Sequence, residues 1–158
     1  MVVEIEGDDI KIARILEWEN GRVHHGLLWL DEPLQGKGFA TRLNEAMFRQ
    51  YKVSGFTYVT VHAGLDKGGY VWAARRFDWD GNARVQATTA LERLWKVAAR
   101  RGTTAEERRL LGEMEARLAR GDIPKPRELS QLGRTPGAHT WLGKEGMLGS
   151  SWKGRKDL

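Results

Sequence analysis

Residues 35–41, Gln-Gly-Lys-Gly-Phe-Ala-Thr, put minimal side chains at alternate positions, Gly36, Gly38 and Ala40, where an apolar strand gives way to a helix. A helix N-terminus presents amides without intrahelical partners and a partial positive charge. An anion binds there when side chains do not bar its approach. Lys37 adds a cation to the same stretch. The chemistry this spacing suits is phosphate binding; the other reading is a tight turn whose glycines serve backbone geometry alone. Two known phosphate loops do not fit. Gly-Lys-Gly-Phe lacks the Gly-Lys-Ser/Thr of a Walker loop. Position 62, at the end of the next strand, is His, where a dinucleotide-binding turn wants Asp or Glu.

His62 itself is a candidate general base, because an imidazole titrates near neutral pH. Asp31 and Glu32 directly precede the glycine stretch and are similarly placed. The alternative for each is ordinary: a strand-end histidine and two solvated loop carboxylates. His24 and His25 are neighbours in a strand and face opposite sides, so they cannot ligate one metal. The chain has no cysteine, which excludes disulfides, Cys-ligated metals and a thiol nucleophile. No metal site is expected.

These residues need elements to hold them. Ile10 to Leu30 reads as a β-hairpin about a two-residue type I′ turn at Asn20-Gly21. That turn sets Trp18 opposite Val23, Leu16 opposite His25 and Ile12 opposite Trp29. One face then carries Ile12, Leu16, Trp18, Val23, Leu27 and Trp29; the other carries Ala13, Ile15, Leu28 and Leu30. Both faces are apolar, so the sheet should be covered on both sides. MVVEIE, just upstream, suits a short edge strand. Phe39 to Lys52 reads as a helix with Phe39, Leu43, Ala46, Met47 and Tyr51 in one stripe. Phe56 to His62 is β-branched and aromatic, a strand. A helix between two strands is a crossover, which makes the strands ending near Leu30 and His62 parallel neighbours.

Further on, residues 64–69 read as a loop and 70–76 as a short helix. Residues 83–120 read as a helical hairpin broken at Gly102. Val85, Thr88, Leu91, Leu94, Trp95 and Ala98 line its first helix, and Thr104 with Glu107 forms a capping box for the second. Leu110, Leu111, Met114 and Leu118 give that second helix its apolar side. Residues 120–137 carry three prolines and read as a loop. Met147 to Trp152 reads as a last strand.

The chain has 158 residues, 41% hydrophobic and 30% charged, which suits one ordinary domain. No apolar run is long enough for a transmembrane helix, and the acidic start MVVEIEGDD does not resemble a secretory signal. A cytoplasmic protein without a membrane partner is expected. The net charge of +5 favours anionic partners such as nucleic acid or a phosphate-rich cofactor, or it reflects a solvated basic surface. Most of the seven tryptophans should be core or groove-lining rings.

Gln35-Gly36-Lys37-Gly38-Phe39-Ala40 matches the Q/R-x-x-G-x-G/A signature of the GNAT superfamily of N-acetyltransferases. The order of elements around it is similar too, and GGYVWAARRFDW resembles that family's A-x-x-L-Y-x-x-x-G-F helix. The resemblance spans roughly residues 10–79. It implies an α+β fold of GNAT type with a mixed sheet, here with an added helical hairpin: a single domain with its core at about 10–79, an insertion at about 83–120, and a loop and final strand at about 121–158. It implies acetyl-CoA, or another acyl-CoA, as cofactor, with Leu30, Gln35, Gly36, Lys37, Gly38, Phe39, Ala40 and Thr41 as the residues that hold it. The pantetheine arm would lie between two splayed parallel strands. In the family helix Trp72 takes the place of the usual Tyr and Arg76 that of the usual Gly; Tyr70 lies two residues before Trp72.

The function this implies is acyltransfer to an amine of a peptide, protein or small molecule, with His62, Glu32 and Tyr70 as candidate catalytic residues. The alternative is a non-catalytic module of the same fold that binds a peptide, nucleic acid or assembly partner. A further alternative is an aminoacyl-tRNA-dependent transferase, which the Arg-rich helices with Arg100, Arg101, Arg108, Arg109, Arg117 and Arg120 would suit.

Overall fold

A computed structural model describes residues 1–158, the side chains of residues 65 and 66 excepted. The elements in chain order are β1 Val2–Gly7, β2 Ile10–Glu17, β3 Arg22–Leu30, a 3-10 turn Glu32–Leu34, α1 Phe39–Val53, β4 Tyr58–Ala63, α2 Leu65–Ala74, β5 Asp78–Trp79, α3 Ala83–Arg101, α4 Ala105–Ala119, α5 Pro126–Gln131, α6 Leu142–Met147 and β6 Trp152–Asp157. The strands form one mixed sheet in the order β1-β2-β3-β4-β6-β5, so the class is α+β. The chain divides into two compact units, residues 1–62 with 155–158, and residues 63–154.

In the first unit β1 is the edge strand and pairs antiparallel with β2, which pairs antiparallel with β3. The hairpin register differs from the one the type I′ turn predicts. Gly21 has φ +61°, but Asn20 does not share that sign, and the Gly21 amide bonds the Trp18 carbonyl at 3.1 Å. The connection is a turn over Trp18–Gly21 closed by one left-handed glycine, so Leu16, not Trp18, lies opposite Val23. Further along, Arg14 pairs with His25 but Ala13 pairs with Leu27. Gly26 is thus the extra residue of a β-bulge. One inserted residue exchanges the faces of everything beyond it. Leu27 and Trp29 therefore turn to the outer face, where they stay 37% and 41% exposed beside Ile15 at 38%. The outer face is not fully covered, contrary to the two-sided burial that its composition predicts.

On the inner face Ile12, Val23, His25 and Leu30 are buried, as are Tyr51 of α1 and Phe56, Val59 and Val61. The buried side of α1 is rotated from the expected stripe: Ala46 is exposed and Asn44 is 1% exposed. β4 is parallel to β3, as the crossover requires, with Arg22–His25 alongside Tyr58–Val61.

The second unit is mostly helical. Its core includes Phe77, Leu94, Leu111, Leu129, Leu142 and Met147. The capping box at the start of α4 is formed, with the Glu107 amide on Thr104 Oγ1 at 3.1 Å. The buried side of α3 is Ala87, Ala90, Leu91, Leu94, Val97 and Ala98, while Val85 is 58% exposed and Thr88 is exposed. Three expectations fail here. Residues 65–69 are helical, not loop. Pro126 starts α5 inside the stretch expected to be loop, as its fixed φ allows in a first turn. Residues 142–147 form α6, which moves the last strand to Trp152–Asp157.

Candidate functional site

The candidate site grows from the end of β3. Leu30 is buried, and the Gln35 amide nitrogen donates to its carbonyl at 2.9 Å. Asp31 caps the 3-10 turn by accepting the Glu32 amide at 2.9 Å, which leaves Glu32 exposed on the turn. The chain then passes Gly36 at φ +73° and Gly38 at φ +74° into α1. Both glycines are required by their backbone, because a side chain is strained at such φ. The space in front of them also differs from that of a packed glycine. Nothing lies within 4 Å of a Cβ built on Gly36, and only Arg42 Nη1, at 3.2 Å, approaches one on Gly38.

The Gly38 carbonyl accepts the Thr41 and Arg42 amides at 3.1 Å, which starts the helix. Among the described residues no hydrogen bond engages the amides of residues 36–40. Lys37 is exposed, and Arg42 donates to its carbonyl at 3.2 Å, so two cations flank the amides. The loop thus combines amide donors, a helix N-terminus and positive side chains, the donor set a diphosphate takes.

Beside this loop the two parallel strands part. β3 and β4 pair only along Arg22–His25 and Tyr58–Val61, and β3 then runs on through residues 26–30. The bulge at Gly26 supplies the cause, since a bulged strand bends and its twist increases. Gly26 is the sequence signal for this feature, as an isolated glycine inside a strand pattern. Arg14 Nη1 secures the bend by donating to the carbonyls of Ala13, at 2.8 Å, and Leu27.

His62 is exposed near the end of β4. Two residues earlier Thr60 Oγ1 lies 3.0 Å from His24 Nδ1. Burial lowers the pKa of His24, and the charges of Arg22 and His62 add to the effect. His62 and Glu32 both lie at the C-terminal ends of parallel strands, Glu32 just beyond β3 and His62 the penultimate residue of β4.

Tyr70 belongs to the second unit. Its ring meets Trp141 edge-on at 6.0 Å, and Lys144 Nζ lies 5.8 Å from its centre. Trp72 has a plain structural task. Helix α2 ends in a Schellman motif, with Arg76 N–H on the Ala73 carbonyl at 3.0 Å and Phe77 N–H on that of Trp72 at 3.2 Å. The apolar contact that accompanies such a cap is Trp72 on Phe77, 5.0 Å between ring centres. Arg76 is left-handed at φ +64°, a backbone that favours glycine.

No family model, curated protein or solved structure matches this chain.

Proposed function

We propose that this protein transfers an acyl group from acetyl-CoA, or another acyl-CoA, to an amine of a peptide, protein or small molecule. The observation that carries the reading is the parting of β3 from β4 beside a glycine loop with unengaged amides. In this reading the amides of residues 36–40 hold the diphosphate, Lys37 and Arg42 add charge, and Gln35 fixes the loop to Leu30. The cofactor would supply a thioester, a carbonyl activated toward amines. The attacking nitrogen must first lose its proton, and His62 is the proposed base, with Glu32 in reserve. Trp72 has no phenolic proton to give, so that position of α2 supplies no proton to the departing thiolate.

Acetyl-CoA should raise the Tm, by roughly 5–10 °C at about a hundred times Kd. His62→Gln cannot accept the proton; it should lower amine-dependent thiol release by about 10²–10⁴-fold and leave the Tm rise intact. An unchanged rate in His62→Gln removes His62 from the mechanism. No Tm rise with any acyl-CoA overturns the cofactor assignment. The second reading, a non-catalytic binding module, draws on Trp72, which is committed to the cap of α2 where the family helix has a phenol. Binding of acetyl-CoA without turnover on any amine would select it.

A further inference from the structure

Arg14 is 2% exposed on β2, opposite His25, whose ring lies 5.7 Å from the rings of Phe48 and Tyr51 on α1. The guanidinium is therefore held between the hairpin and α1. Two of its groups find no acceptor among the described residues: Nε and Nη2 are buried without a hydrogen-bond partner. Nη1 alone is satisfied, by two backbone carbonyls. No described carboxylate pairs with Arg14.

The neighbours do not supply the missing charge. The Tyr51 hydroxyl lies beside the guanidinium and is buried, with no partner that meets full hydrogen-bond geometry. Burial raises the Tyr51 pKa, so the phenol keeps its proton. His25 is held neutral by burial first and then by the charge of Arg14. Asn44, 1% exposed, donates to the Ala40 carbonyl at 2.9 Å, and its Oδ1 is a buried acceptor without a partner. Arg14 is thus left with three N–H and Tyr51 with one O–H, and no described carboxylate faces them. A guanidinium does not lose its proton in a protein, and an isolated buried charge is costly. Water can serve the hydrogen bonds but not the charge.

We propose that Arg14 and Tyr51 form a buried site for a small monovalent anion, of halide type, between the hairpin and α1. The proposal is independent of the cofactor reading, because α1 meets Arg14 through Tyr51 in its last turn and the glycine loop lies at its first. A halide would accept from Nε, Nη2 and the Tyr51 hydroxyl.

Replacing sodium gluconate by sodium chloride or bromide at constant ionic strength should raise the Tm of the whole chain, by roughly 3–6 °C at about tenfold above Kd. Arg14→Met should abolish that halide response, and Tyr51→Phe should reduce it. Crystals soaked in bromide should show anomalous scattering beside Arg14 Nε and Nη2. Should Arg14→Met fail to fold, the bromide position in the unaltered protein and the Tyr51→Phe response still decide the matter. Bromide found only at exposed positions, with a Tm indifferent to halide, would overturn the proposal.

Discussion

The glycine loop before α1 and the glycines under α6 show that one residue type can mean opposite things. A Cβ on Gly36 would meet nothing within 4 Å. A Cβ on Gly143 would lie 2.3 Å from the Leu129 carbonyl oxygen, 2.7 Å from the Leu132 nitrogen and 2.7 Å from the Ser130 carbonyl carbon. Gly36 is left-handed and opens onto space; Gly143 lies in a helix and is jammed against the backbone of α5. The first needs glycine for its φ, and the room in front is left over for something else. The second needs glycine only because two backbones touch. Gly69 behaves like Gly143, with the Met147 carbonyl oxygen at 2.4 Å from its absent Cβ. That crowding accounts for a glycine at position 69 inside a helix, where the residue type alone reads as loop.

The largest effect should come from the crowded class. In Gly143→Ala one methyl must displace backbone of α5, not the flexible end of a side chain. Overpacking of this kind costs typically 1–3 kcal/mol and here should sit at about 3 kcal/mol or more. Urea unfolding of the variant should show a clear fall in midpoint. A midpoint equal to that of the unaltered chain would mean that α5 and α6 do not pack backbone against backbone.

Gly38→Glu probes the open class. The side chain is strained at φ +74°, a cost of about 1–2 kcal/mol. It also carries bulk and negative charge into the amide cluster. The variant should therefore fold but lose the acetyl-CoA rise in Tm, a loss of about 2.7 kcal/mol of ligand stabilisation at a hundred times Kd. Gly38→Asn is the partner measurement, since Asn tolerates the left-handed region. If both variants respond to acetyl-CoA like the unaltered chain, the glycines of the loop serve the turn alone.

Much of the scaffold around that loop is legible from residue types. Asn20-Gly21 marks a hairpin, the stripe through Leu43, Met47 and Tyr51 marks α1, and Thr104 with Glu107 marks the start of α4, because each signal is local. The bulge is harder to read. Gly26 flips Leu27 and Trp29 to the outer face, yet alternation reads smoothly through it, since leucines and tryptophan on either side of the slip look equally apolar. Arg14 is hidden for a different reason. A charged residue in an amphipathic strand reads as solvent-facing, and only the register places it opposite a buried histidine. The glycines of 64–69 and the prolines of 120–137 read as breakers, whereas close packing and a helix first turn are their causes. For the site, spacing alone points to the glycine loop; Leu30 and Gln35 enter only through the family resemblance. The opening between β3 and β4 shows in the residues only through Gly26, as it depends on where pairing stops.

The smallest effect should come from the position that joins the two classes. Arg76 is a non-glycine in the left-handed region, at φ +64°, the sole case among the described residues. Its N–H bonds the Ala73 carbonyl, so the backbone cannot relax without breaking the cap of α2. The side chain is exposed and contributes little packing. Arg76→Gly removes the clash of Cβ with the carbonyl, worth about 1–2 kcal/mol. It also gives the unfolded chain more conformations, which takes back about 0.4–1 kcal/mol. The net gain should be about 1 kcal/mol, a rise of about 2–4 °C in Tm for a chain of this length. Arg76→Ala separates backbone from side chain: it loses the guanidinium but keeps the Cβ, and so should gain nothing. Equal Tm values for the Gly and Ala variants would show that the left-handed backbone is not under strain. The contrast with Gly36 would then rest on open space rather than on φ.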